Sequence, residues 1–431
     1  MATSGDRTRV PGAYWVWVGG TALSLIGVQA MAFAMAWAAA GHGARFAALV
    51  PSAIVLPRVL LLLVGGAVAD RFGAWLVLLV SDAAMIVVTV ALAAATWSSL
   101  DPRLPLLLAA LAIGTVDAFQ LPSSGSMPRR LVPPEALARA LSARQLAGQF
   151  ALFAGPPLGG LLLGVAGLAG VALSNTATFL VMLAVLLVVR PTVDRRGDAG
   201  PASGPPASGP PASGPPASGP PASGVLDGLR LAWSVPVLRA ALLVTGVAAG
   251  FLLPVGSLLL PLLARQRDWS PSATGAVVAA MALGTAAVAV GVLLCGASSR
   301  PGVVAAVGLL VAAGGVVVLA AGRTPLPAVL AGVVVGVGSG GFATHVGPLV
   351  LAATPLTHLA RVQSVLVLAQ SLPLLVTTNG FGLVAEAAPV PAVLRGCAGV
   401  LVVTGLAALA VPALRHASPV ITPAATRRRN I

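Results

Sequence analysis

Twelve apolar runs follow one another along the chain, separated only by short polar segments. They cover roughly residues 14–40, 44–69, 75–97, 104–126, 136–165, 168–189, 239–263, 272–297, 303–321, 327–353, 359–384 and 391–413. About 20 apolar residues suffice to cross a bilayer as a helix. A backbone in lipid must satisfy its own hydrogen bonds, so runs of this length predict membrane helices. Only 8% of the residues are charged and 58% are hydrophobic, whereas a soluble chain carries about a quarter charged residues. That excludes ordinary soluble enzymes and nucleic-acid binders. The first run is too long for a removed signal peptide and lacks a small-residue cleavage site, so it is kept as a span.

The formal net charge is +14, and all 25 basic residues are arginine. They punctuate the apolar runs instead of forming a stripe that could read nucleic acid. With both termini in the cytoplasm, 18 arginines fall on inside segments, 6 on outside segments, and Arg58 within a span. That asymmetry favours the inside-terminus topology. A multi-pass protein of the cell membrane is therefore expected. Cys295 and Cys397 both lie inside apolar runs, which implies no disulfide framework.

Between the sixth and seventh runs, residues 201–224 repeat PASG five times. A Pro/Ser/Gly repeat has nothing apolar to bury and predicts a disordered connector. The expected organisation is a six-helix bundle over 1–190, a cytoplasmic linker over 191–238, a second bundle over 239–413, and a basic tail over 414–431. The halves resemble each other at an offset of 222, where Leu137-Ala138-Arg139 aligns with Leu359-Ala360-Arg361. Six plus six parallel spans is a layout of transporters that rock two bundles around a central site.

Two local patterns stand out. After the second run comes Gly65-Gly66-Ala67-Val68-Ala69-Asp70-Arg71-Phe72-Gly73, in which glycines allow close helix approach and an Asp-Arg pair sits in a tight turn. On the fifth run, Gly148 precedes Gly155-Pro156-Pro157-Leu158-Gly159-Gly160, a kinked and closely packing stretch. Residues 65–73 resemble the G-x-x-x-D-R-x-G signature of the major facilitator superfamily. There the resemblance implies an inside latch made by Gly66, Asp70, Arg71 and Gly73, with Asp82 as the partner of the motif arginine. Ala74 and Trp75 stand where bases usually follow. Residues 155–160 resemble the antiporter motif of the exporter branch, implying a hinge at Gly148, Gly155, Pro156, Gly159 and Gly160. The loop 131–140, the segment 229–239 and residues 260–263 resemble the macrolide- and siderophore-exporter subgroup. The resemblance thus implies an all-α fold of twelve helices in two bundles. The function it implies is export of small amphipathic compounds by proton antiport, with efflux and multidrug resistance as its setting. An importer or facilitator of the same fold, and a transport-dead sensor or scaffold, are the alternatives.

Charged groups inside a span cost roughly 2.5–3.5 kcal/mol each on insertion scales, so each needs a reason. Arg58 lies in the second run and Asp117 in the fourth. Either Asp117 binds a proton or cation facing a cavity, or the two form a buried structural ion pair. His345 is a candidate proton carrier or a packed helix histidine. Gln29, Gln120, Asn175, Gln370 and Asn379 are polar cavity groups or interhelical glue. The expected partners are a small-molecule substrate, protons and the bilayer, for a monomer with no nucleic acid. No zinc-like cluster, nucleotide loop or nucleophile–base pair appears, so no cofactor, metal or enzyme chemistry is expected.

Overall fold

The computed structural model describes residues 10–98, 101–197, 229–296, 298–355 and 358–415. The PASG repeat and the arginine-rich tail lie outside the described residues. Regular structure among the described residues is helical throughout. Helices α1 (Gly12–Ala40), α2 (Ala44–Phe72), α3 (Ala74–Ala95) and α4 (Arg103–Leu131) are followed by a 3-10 turn at Pro134–Ala136. Next, α5 (Leu137–Gly197) is two helical arms that meet at Gly167, where φ is 66° and ψ is −171°. Then come α6 (Pro236–Pro254), a π-helical turn (Val255–Leu259), α7 (Leu260–Gln266) and α8 (Pro271–Cys295). The chain continues through α9 (Pro301–Ala321), α10 (Pro325–Ala352), α11 (Leu359–Ala387), α12 (Val390–Ala410) and α13 (Pro412–Arg415).

With the α5 arms counted apart and α6–α7 taken as one span, the described residues contain twelve apolar helices long enough to cross a membrane. They coincide with the twelve runs. The break at Gly167 falls in the two-residue gap between the fifth and sixth runs. α4 extends beyond its expected end at residue 126 because Arg129 and Arg130 occupy its last turn, where cations favour the helix C-terminus. Prolines begin α6, α9 and α10, positions at which the missing N–H costs nothing.

The chain divides into two compact units. Among the described residues, one holds the first half together with residues 256–282 and 378–390; the other holds those of 229–255, 283–377 and 391–415. In the first, α1 packs along α5, α2 along α4, and α3 against both α4 and α5. At the Gly73 end its core is Tyr14, Trp17, Leu78, Met127, Leu131, Met182 and Leu186. The buried Tyr14 hydroxyl donates to the Ala140 carbonyl at 2.6 Å. Trp75 donates from Nε1 to the Leu186 carbonyl at 2.9 Å, and the Arg190 guanidinium lies 4.8 Å over its ring. An aromatic anchor thus stands at a position where the motif pattern has a base.

Small residues set the crossing of α1 on α5. A Cβ at Gly159 would lie 2.5 Å from the Ala30 carbonyl oxygen and 2.8 Å from Ala30 Cα. Backbone cannot step aside as a side chain can. Gly159→Leu is therefore expected to destabilise by about 1–3 kcal/mol, read as a lower thermal midpoint of the purified protein.

In the second unit, α9 and α10 pack tightly, and a Cβ at Gly338 would come 2.5 Å from the Gly308 carbonyl oxygen. The Gly338-Ser339-Gly340-Gly341 run is thus a packing surface. Thr377 Oγ1 donates to the Gly250 carbonyl at 2.6 Å, joining α11 to α6.

Candidate functional site

Within the first unit a line of polar side chains runs along α4. Arg58, from α2, donates through Nη2 to Asp117 Oδ2, and the two side chains are 36% and 13% exposed. The crossing of α2 and α4 holds them in register. A Cβ at Gly65 would collide with the Ala118 backbone, and one at Gly114 with the Ile54 backbone, so both crossings are backbone to backbone. These two contacts bracket the ion pair on either side. Gln120 lies three residues beyond Asp117, on the same helical face. Its Nε2 donates to Asp82 Oδ1 at 2.7 Å, tying α4 to α3. Asp82 is 0% exposed, and its Oδ2 has no hydrogen-bond partner among the described residues. One turn further, Ser124 Oγ accepts from Arg144 Nη2 at 3.2 Å. Three helices and the first arm of α5 thereby bring two acids, two arginines and an amide into one continuous strip.

The other expected residues are dispersed. Asp70 and Arg71 are exposed at the end of α2 and form no ion pair with a described residue. Asp82 faces Gln120, not Arg71. Gly73 has φ 86°, a left-handed conformation suited to glycine, and turns α2 into α3. Nothing stands within 4 Å of a Cβ at Gly66 or Gly148. Gly155 abuts Gln29 on α1, and a Cβ at Gly160 would lie 2.5 Å from the Pro271 carbonyl oxygen. The Pro156 carbonyl oxygen is 2.7 Å from a Cβ built at Gly275, so this stretch packs on both α1 and α8. Asn175 is buried, with Thr178 Oγ1 at 3.3 Å from its Oδ1. His345 is buried too, its Nδ1 3.0 Å from the Gly341 carbonyl and 3.0 Å from Thr344 Oγ1. Gln370 is exposed on α11, and Asn379 donates from Nδ2 to Ser52 Oγ at 2.8 Å.

Sequence reasoning missed a second polar cluster at the opposite end of the same unit. Arg45 pairs with Glu386 at 2.6 Å. Arg265 stacks 4.4 Å over the Trp37 ring and donates to the Trp37 carbonyl at 3.2 Å. Glu386 and Arg265 border a cavity of about 390 Å³ that Ala40, Gly43 and Leu262 also line. Their placement at the ends of apolar runs was the available signal. Among the described residues no group of three or more His, Cys, Asp or Glu could hold a metal ion.

The family model described as Major Facilitator Superfamily matches residues 17–378. The chain belongs to the Major Facilitator Superfamily. It is accordingly a multi-pass membrane transporter and not an enzyme. Among solved structures, it is similar to a POT peptide transporter in complex with alafosfalin. There the TM-score is 0.70 at 15% identity, over 96% of this chain and 97% of that one. A POT family transporter in complex with 5-aminolevulinic acid gives 0.68 at 12% identity, over 94% and 97%. An auto-inhibited POT family peptide transporter gives 0.68 at 13%, over 92% and 96%. At such identities the likeness is one of fold. No curated protein matches the chain in sequence.

Proposed function

We propose that this secondary transporter is proton-coupled and carries a small organic solute. The observation supporting this reading is the Arg58–Asp117 pair, set in the membrane strip that continues through Gln120 to Asp82. Buried ion pairs add little to stability over apolar residues of the same volume. A chain otherwise so poor in charge has reason to keep them only where they work. A bound proton draws about 1.4 kcal/mol per pH unit of gradient. Each charge moved across the membrane adds about 2.3 kcal/mol per 100 mV. Asp117 and Asp82 are the acids that can carry it.

For direction, uptake is supported by the transporters of like fold, whose structures are named for peptides and 5-aminolevulinic acid. Solutes of that class are gathered by cells more than expelled. Export by antiport is the second reading, and one observation favours it: the Gly155–Gly160 stretch is wedged between α1 and α8, where the exporter motif would shape a hinge. The deciding experiment is solute-dependent proton movement in proteoliposomes under an imposed pH gradient. The panel spans dipeptides, hydrophobic cations, macrolides and siderophore-like anions. Proton and solute moving together is the expected result; opposite movement selects export. Solute flux indifferent to the gradient would leave a facilitator, and no flux at all a sensor or scaffold.

A further inference from the structure

Asp82 is the one acid in the α4 strip without a counter-charge. The elements packed around it are α2, α4 and α5. Of the charged groups of the strip on those helices, Arg58 of α2 is committed to Asp117, which stands one turn from Gln120 on α4, and Arg144 of α5 reaches Ser124. No arginine among the described residues lies within 4.0 Å of either Asp82 oxygen. Its single partner is a neutral amide on Oδ1, while Oδ2 is buried and empty-handed. An ionised carboxylate so enclosed loses its hydration and gains only one hydrogen bond in exchange. A neutral carboxyl group fits the same surroundings, with Oδ1 as the carbonyl that accepts from Gln120 and Oδ2 as the atom bearing hydrogen.

We propose that Asp82 is a proton-binding site, holding a proton on Oδ2 against Gln120 while Asp117 stays ionised on Arg58. Gln120 is the positioning residue. The proton comes from water when the strip is hydrated and returns to water when it is hydrated again. In this arrangement the Arg58–Asp117 pair carries no net charge, and the neutral Asp82 adds none. The proposal rests on the transport reading only for what the proton accomplishes, not for its presence.

Its presence can be measured without a substrate, by infrared spectroscopy of the full-length protein in lipid bilayers at neutral pH. We expect a buried protonated-carboxyl stretch in the wild type, lost in Asp82→Asn and kept in Asp117→Asn. Gln120→Leu, which leaves the acid in place, should move the band to higher frequency because its carbonyl no longer accepts a hydrogen bond. A wild type without the band, or a band that survives Asp82→Asn and disappears in Asp117→Asn, overturns the proposal. In proteoliposomes carrying the solute that moves protons, Asp82→Asn should retain solute exchange and lose about tenfold or more of gradient-driven accumulation. Accumulation equal to wild type would overturn the role of that proton in driving transport. If the band belongs to Asp82 but no solute moves protons, the transport reading fails and the proton site stands.

Discussion

Replacing Arg58 by alanine is expected to destabilise the protein by about 3 kcal/mol and to reduce transport at least tenfold. Removing one member of a buried pair strands the other, at a typical cost of about 3–5 kcal/mol. Arg58 is 36% exposed, which places the estimate at the low end. Asp117, at 13% exposure, would be left facing apolar helix with no cation. The double replacement Arg58→Met with Asp117→Leu removes both charges and should restore most of the thermal midpoint. It should not restore transport. Thermal unfolding of the single and double variants, alongside solute flux, separates the two roles. A double variant that transports like wild type would reduce the pair to scaffolding.

The second large effect is expected at the seam between α2 and α4. Gly65→Val would drive a branched side chain into the Ala118 backbone, where no side chain can yield. The expected cost is about 3 kcal/mol, the upper end for overpacking. It should come with loss of transport, because separating the helices separates Arg58 from Asp117. Gly66→Ala is the contrast. Nothing lies within 4 Å of a Cβ there, so its midpoint should move by less than about 0.5 kcal/mol equivalent. Equal effects at the two positions would contradict the seam described above.

That contrast shows where sequence reading stopped. The signature pattern singles out Gly66, yet the helix presents Gly65 to its neighbour. Helical phase between two spans cannot be fixed when apolar residues surround the helix on all sides, as they do on α2. The same ambiguity hid the partner of Asp82. The resemblance implied Arg71, whereas the α3–α4 packing brings Gln120 to it. By contrast, the spans themselves were legible, because a bilayer imposes length and apolarity on each one. The Arg58–Asp117 pairing was one of two open readings, since two opposite charges in neighbouring spans have few alternatives. Arg45 and Glu386 lie at opposite ends of the sequence, and nothing local joins them. The π-helical turn at Val255–Leu259 lies between Pro254 and Pro261, and those prolines were its local trace.

The distance in sequence between Arg58 and Asp117 also bears on how the protein is made. The two residues are 59 positions apart, with all of α3 between them. At about 5–20 residues per second, synthesis leaves the arginine waiting roughly 3–12 s for its acid. During that interval the second span must enter lipid carrying a charge worth roughly 2.5–3.5 kcal/mol against insertion. The nascent chain therefore passes through a stage at which its second helix is only provisionally embedded, and arrival of the fourth makes the commitment final. Ribosome pausing before residue 117 should prolong that stage, and the second span should be most open to surveillance by membrane quality control within it.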